Sequence, residues 1–151
     1  VSELKVTAIK EGTVIDHIPA GKGLKVIEIL RLNRVNGGVL LLAANVSSGK
    51  LGRKDIVKVE GKFLSEEEVN KIALIAPNAT VNIVRDYRVA EKFRVSIPDE
   101  IVGILRCPNP NCVSNHEYVR SRFHVEGREP LKLRCHYCER TIEGDEILGN
   151  L

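Results

Sequence analysis

The chain has 151 residues, 43% of them hydrophobic and 28% charged, with a formal net charge of +3; a core can be buried and a surface solvated, and no apolar run approaches the roughly 18 residues that span a bilayer. The start, VSELKV, lacks the basic head and long apolar stretch of a secretory signal, so a cytoplasmic location is expected. Charge is unevenly spread: residues 1–97 carry sixteen Lys and Arg against eleven Asp and Glu, residues 98–151 carry seven against nine, and all four cysteines lie in the second stretch.

LKVTAIKEGTVIDHI alternates loosely and breaks at Gly12, which predicts a kinked strand or two short strands. In GKGLKVIEILRLN, the apolar residues Leu24, Val26, Ile27, Ile29 and Leu30 suit an amphipathic helix that stops near NGG. GGVLLLAANV and KDIVKVEG read as two strands joined by SSGKLG. LSEEEVNKIALIAP has the strongest helix signals: Ser65 as N-cap, Glu68 closing a capping box, Leu64 and Val69 as a staple, glutamates at the positive end of the dipole, and Pro77 as terminator. Val81, Ile83, Tyr87, Val89, Phe93, Val95 and Ile97 share one parity, which predicts one or two further strands. SIPDE at 96–100 interrupts that alternation with a proline and reads as a hinge.

The order β-α-β-β-α-β predicts an α+β protein: a ferredoxin-like antiparallel sheet with two helices on one face in residues 1–97, followed by a small zinc-ribbon-like β domain in residues 98–151. A fold this widespread says little about function.

The cysteines follow C-x4-C-x22-C-x2-C, as Cys107, Cys112, Cys135 and Cys138. Two short turns that each offer two thiolates can close a tetrahedron around one structural zinc, and Pro108, Pro110 and the neighbouring asparagines suit the first turn. Two disulfides are the alternative, but they belong to oxidising compartments. Catalytic zinc would need an open coordination position, which four thiolates do not leave. His116, His124 and His136 read as solvent-facing. The cysteine-bearing half is net negative and has only Tyr118, Phe123 and Tyr137 as aromatics, so a protein partner is expected there rather than nucleic acid.

In the first half, Lys54 and Lys58 sit four apart on one strand, so both project from one face with about 13 Å between their backbones. Side chains of that length can converge on a polyphosphate; an ordinary solvated face is the plainer reading of the same pattern. The parity of Lys92 and Arg94 does not by itself bring them to these lysines. Asp16 and His17 are adjacent polar residues in an apolar strand and are expected to face opposite sides. No nucleophile-base set, P-loop or GxGxxG is present, so no catalysis is expected.

GTVIDHIPAG, LGRKDIVKVEGKFLSEEEV, APNATVN, CPNPNC and CHYC, in this order and at these separations, resemble the regulatory chains of aspartate carbamoyltransferase over nearly the whole length. The resemblance implies a non-catalytic subunit of pyrimidine biosynthesis whose N-terminal allosteric domain binds nucleotide effectors, CTP and ATP, and whose zinc domain docks on the catalytic chain. It also implies a regulatory-chain homodimer within a heterododecamer of two catalytic trimers and three regulatory dimers. Carried over by position, Ala8 and Ile9 would present backbone to the base, Asp16 and Lys58 would address the ribose, and His17, Lys92 and Arg94 the phosphates; Lys54, Asn82, Tyr87 and Val89 also fall on site positions. Thr7 stands where familiar members carry an acidic residue, a departure that bears on effector preference.

Overall fold

The computed structural model describes residues 9–34, 37–49 and 52–151; Thr7 and Ala8, named above, lie outside them. The chain divides into two compact units, Val1–Ser96 and Ile97–Leu151.

The first unit is built from β1 (Gly12–Pro19), α1 (Gly23–Leu30), β2 (Leu40–Ser48), β3 (Gly52–Glu60), α2 (Glu66–Ile75), β4 (Thr80–Arg85) and β5 (Arg88–Arg94). All pairings are antiparallel, in the order β2-β3-β1-β4-β5. This is the expected βαββαβ sheet with its last strand folded into a hairpin, which adds β5 as an edge. One sheet face carries Ile15, Val57, Val59 and Val81, all essentially inaccessible, and the core is completed by Val26, Ile27 and Leu30 of α1 and by Ile72 and Ile75 of α2. Burial of aliphatic side chains at about 25 cal/mol per Å² is what holds sheet and helices together.

Local sequence explains most of the boundaries. Ser65 Oγ accepts from the Glu68 N–H and Glu68 Oε1 accepts from the Ser65 N–H, so the capping box that opens α2 is complete. Helix α1 differs from expectation at both ends. Leu24 is 57% exposed rather than part of the apolar stripe, and the helix stops at Leu30 because Arg31 adopts a left-handed conformation (φ 55°), several residues before NGG. At the start of β1, Gly12 has φ 149°, and a Cβ there would lie 2.2 Å from the Val59 carbonyl oxygen; only glycine lets the strands approach so closely.

The single parity read across residues 81–97 does not survive folding. Asp86 and Tyr87, at φ 52° and 64°, form a two-residue turn between β4 and β5, and the register shifts between Ile83 and Val84. Val89 therefore pairs with Val84 and Phe93 with Val81, which places the two on opposite faces. Val89 is 59% exposed.

The second unit contains β6 (Glu100–Val102), β7 (Arg122–Arg128), β8 (Leu131–Cys135), β9 (Thr141–Glu143) and a short α3 (Asp145–Leu148). Its strands form one antiparallel sheet in sequence order, with Ile101, Leu105, Phe123, Leu133, Ile142 and Ile147 as a small core of its own. Residues 95–98 carry neither helix nor strand. No helix of the described residues is long and apolar enough to cross a membrane.

Candidate metal centre and anion face

Cys107 and Cys112 flank a loop tied to itself. The Cys112 N–H donates to the Asn109 carbonyl, the Asn111 N–H donates to Asn109 Oδ1, and Asn115 Nδ2 donates to the carbonyls of both Cys107 and Asn109. Cys135 ends β8, and the chain turns back through Glu139 in the left-handed region (φ 65°), with the Cys135 N–H donating to Arg140 and the Glu139 N–H to Cys135. Backbone hydrogen bonds thus fix the second turn, and asparagine side chains join them in the first.

All four Sγ atoms lie within 4.8 Å of one another, with Cys107–Cys138 at 3.6 Å and Cys112–Cys135 at 3.7 Å. A disulfide requires about 2.05 Å, so these thiols are not bridged. A tetrahedron with metal–sulfur bonds of about 2.3 Å has edges of about 3.8 Å, close to the distances found. The residues present fit a tetrahedral metal with no position left over for water. Burial pushes the thiols of Cys107 and Cys135 up. At Cys138 burial acts in the same direction, but the Arg140 N–H and neighbouring side-chain hydrogen bonds outweigh it and bring the thiol to about 7. Ser114 Oγ lies 3.1 Å from Cys112 Sγ, a contact on the ligand shell that the cysteine spacing does not announce. Of the nearby histidines, His116 and His136 are exposed, while His124 is half-buried with its Nε2 2.8 Å from His136 Nδ1. None belongs to the sulfur cluster.

In the first unit, strand register decides which polar side chains share a face. Directly opposed residues in an antiparallel ladder project from the same side. Lys58 opposes Val14, Val14 opposes Asn82 and Asn82 opposes Lys92, so one row across β3, β1, β4 and β5 carries an amide between two lysines. With strands about 4.8 Å apart, the backbones of Lys58 and Lys92 are separated by about 14 Å, within reach of two converging side chains. The next row holds Asp16, Thr80 and Arg94. All of this lies on the side opposite Ile15, Val57 and Val81.

Asp16 and His17 do not face opposite sides. The β1–β3 register shifts between Ile15 and Ile18, and His17 takes φ 59° as the bulged residue. Asp16 Oδ1 consequently pairs with Lys54 Nζ at 2.9 Å and accepts from the His17 N–H, while His17 Nδ1 lies 2.9 Å from Thr80 Oγ1. The bulge brings both polar side chains to the Lys58 face. Thr80 is a member of this cluster that the sequence reading missed; its parity with Asn82 was the available signal.

Lys54 and Lys58 are only 6% and 7% exposed, and burial lowers the Lys58 ammonium below its ordinary value. Arg94 donates to Asn78 Oδ1. Asn82 Nδ2 donates to the Val14 carbonyl at 3.4 Å. Tyr87 is 63% exposed in the hairpin turn, its N–H held by the Lys10 carbonyl, and Val89 lies on the Asn82 face. Ile9 is buried, and Ala8 falls outside the described residues. Arg85 projects from the other face and stacks on Phe63 at 4.4 Å.

Both units match known family models: residues 4–96 match the allosteric domain of the aspartate carbamoyltransferase regulatory chain, and residues 99–148 its metal-binding domain. Among curated relatives, the aspartate carbamoyltransferase regulatory chains of Thermococcus onnurineus and Pyrococcus abyssi are 83% and 76% identical, each over 100% of both chains. That of Methanopyrus kandleri is 56% identical over 95% of this chain and 93% of its own. A sheet with a clustered polar face, a separate unit gathering four thiols, and full-length identity at this level agree: the chain belongs to the aspartate carbamoyltransferase regulatory chain family, as a regulatory rather than a catalytic chain.

Proposed function

We propose that the Lys58–Asn82–Lys92 face binds the triphosphate and ribose of nucleotide effectors, CTP and ATP, and that their occupancy controls a partner catalytic chain in pyrimidine biosynthesis. The single observation that carries this reading is the cross-strand register that aligns Lys58, Asn82 and Lys92 in one row, beside a second row containing Asp16, Thr80 and Arg94. A polyphosphate laid across β1 and β4 meets a lysine at each end. Arg94 extends the cationic edge, the His17 imidazole can donate to a phosphate oxygen, and the Asp16 carboxylate is placed to accept from ribose hydroxyls. Lys54, held by Asp16, adjusts how much of that carboxylate remains available. Ile9, Tyr87 and Val89 would supply wall and backbone to the nucleotide, with Ala8 continuing the chain from Ile9.

The metal held by Cys107, Cys112, Cys135 and Cys138 is zinc in this reading, since an all-thiolate tetrahedral set suits that ion and leaves it a purely structural role. Four unbridged thiols also suit a reducing compartment such as the cytoplasm. The metal-bearing unit, 98–151, docks on the catalytic chain, and the nucleotide-binding unit, 1–97, pairs with a second copy in an assembly of two catalytic trimers and three regulatory dimers. An effector shifts such an assembly only by its differential affinity for the two states, and couplings of about 1–3 kcal/mol suffice for regulation. Strands β3 and β5, drawn toward one triphosphate, move the sheet relative to the linker at 96–100.

Titrating CTP and ATP calorimetrically into the assembled enzyme, alongside activity assays, tests this. The double variant K58A/K92A is expected to lose effector binding and response while keeping its metal and its catalytic partner. Retention of the wild-type response in that variant would remove the site assignment.

A further inference from the structure

Beside the sulfur cluster, in the second unit, lies a cavity of about 390 Å³ lined by Gly103, Arg106, Ser114, Asn115, Arg120 and Ser121. Its two arginines are its chemical content. The other arginines of this unit, Arg122, Arg128, Arg134 and Arg140, each pair with a carboxylate; neither Arg106 nor Arg120 has an acidic partner among the described residues. This occurs in the half of the chain whose formal charge is negative, so acids are not scarce. Arg120 is also held in place. A Cβ on Gly103 would lie 2.4 Å from Arg120 Nη2 and 2.8 Å from Nε, so the guanidinium rests on bare glycine backbone. Gly103 is itself at φ 74°, its N–H donating to the Ser121 carbonyl, and Tyr137 Oη donates to the Arg120 carbonyl.

The loop bearing this arginine exposes apolar side chains beside its polar ones. Tyr118 is fully exposed, and Val113 and Val119 are 38% and 36% exposed. A free small anion needs no such surround. Tyrosine and arginine are the residue types enriched in protein-binding hot spots.

We propose that Arg106 and Arg120 form a socket for an acidic side chain, Asp or Glu, of the catalytic chain, with Tyr118, Val113 and Val119 packing around it. Two forked guanidinium groups match the bidentate geometry of a carboxylate. Ser114, which touches Cys112 Sγ, also lines the cavity, so the metal fixes one wall of the socket. The proposal rests on the reading that this unit docks on the catalytic chain, and adds which surface does so and the chemistry it recognises.

The test uses the full-length chain and its own catalytic chain. R106Q/R120Q is expected to weaken association on the order of 10- to 100-fold and to flatten its salt dependence; Y118S, altering a side chain that lies wholly in solvent, is expected to weaken it with the salt dependence unchanged. Metal content should stay at the wild-type level in all variants, and the single arginine variants serve if the double one loses metal. Unchanged association of R106Q/R120Q would overturn the socket. So would inorganic phosphate binding to the regulatory chain that the double variant abolishes while assembly is untouched, since the occupant is then a free anion. If chelation releases the catalytic chain but the arginine variants assemble normally, the docking reading stands and the socket alone falls; if the wild-type chain does not associate at all, both fall.

Discussion

Lys58 is a cation kept where water scarcely reaches it. Burial lowers its ammonium below 10.5, whereas a bound polyanion favours the charged form and raises it. If the proposed site is right, between the lowered free value and the raised bound value nucleotide binding takes up a proton, and affinity falls as pH rises through the free value. Calorimetric titration of CTP at alkaline pH in two buffers of different ionisation heat measures the uptake directly. It is expected in the wild type and absent in K58M. Equal uptake in both would assign the proton to another group. The neighbouring Asp16–His17 pair marks the limit of what single residues disclose. Both polar identities are plain in the chain, yet alternation predicts opposite faces, and only the bulge at His17 brings them together. No glycine announces that bulge, because His17 itself adopts the left-handed backbone.

Among the elements, α2 was legible in full and the β4–β5 hairpin only in part. The reason is locality. A capping box is written in four consecutive residues, and Ser65 and Glu68 satisfy each other wherever the helix is placed. The turn at Asp86 and Tyr87 instead lacks the Asn-Gly or Asp-Gly signature, and Tyr87 is held at positive φ with its N–H on Lys10, far away in sequence. Register rows likewise depend on long-range pairing, so the charge pattern alone left Lys92 and Arg94 unassigned to the lysines of β3. For α2 the energetic consequence can be stated. S65A should destabilise the first unit by about 1 kcal/mol in denaturant unfolding at pH 7. For Glu68, burial alone would raise the carboxyl, but hydrogen bonds from Ser65 and Lys62, together with the Lys62 charge, lower it below 4.5. A depressed carboxylate adds stability that is fully present above 4.5 and disappears as pH falls through the folded value. The stability gap between wild type and E68Q should thus be open at pH 7 and closed near pH 2. A gap that is independent of pH would show that Glu68 acts through packing.

At the scale of the whole molecule, the two units owe their stability to different physics. The described residues of the first unit bury aliphatic side chains between a five-stranded sheet and two helices. The second unit, Ile97–Leu151, is about a third of the chain and has a core of six large side chains, a size at which small folds commonly add a metal or disulfides. Three of its thiols are buried, and burial pushes Cys107 and Cys135 up, so without metal these two stay protonated at neutral pH. Metal entry must displace those protons, which makes affinity fall as pH falls and couples binding to folding. A strong chelator, or acidification, should therefore unfold the second unit while the first unit keeps its circular-dichroism signal; on the proposed reading it also releases the catalytic chain and leaves CTP binding to the first unit intact. A single transition, that of the first unit, is expected in the metal-free chain, and a further second-unit transition in the zinc-loaded one. A metal-free second unit that melted at the zinc-loaded temperature would mean that the four sulfurs assemble without a cation. The rigidity that the proposed transmission to a partner chain requires would then have to come from the apolar core alone.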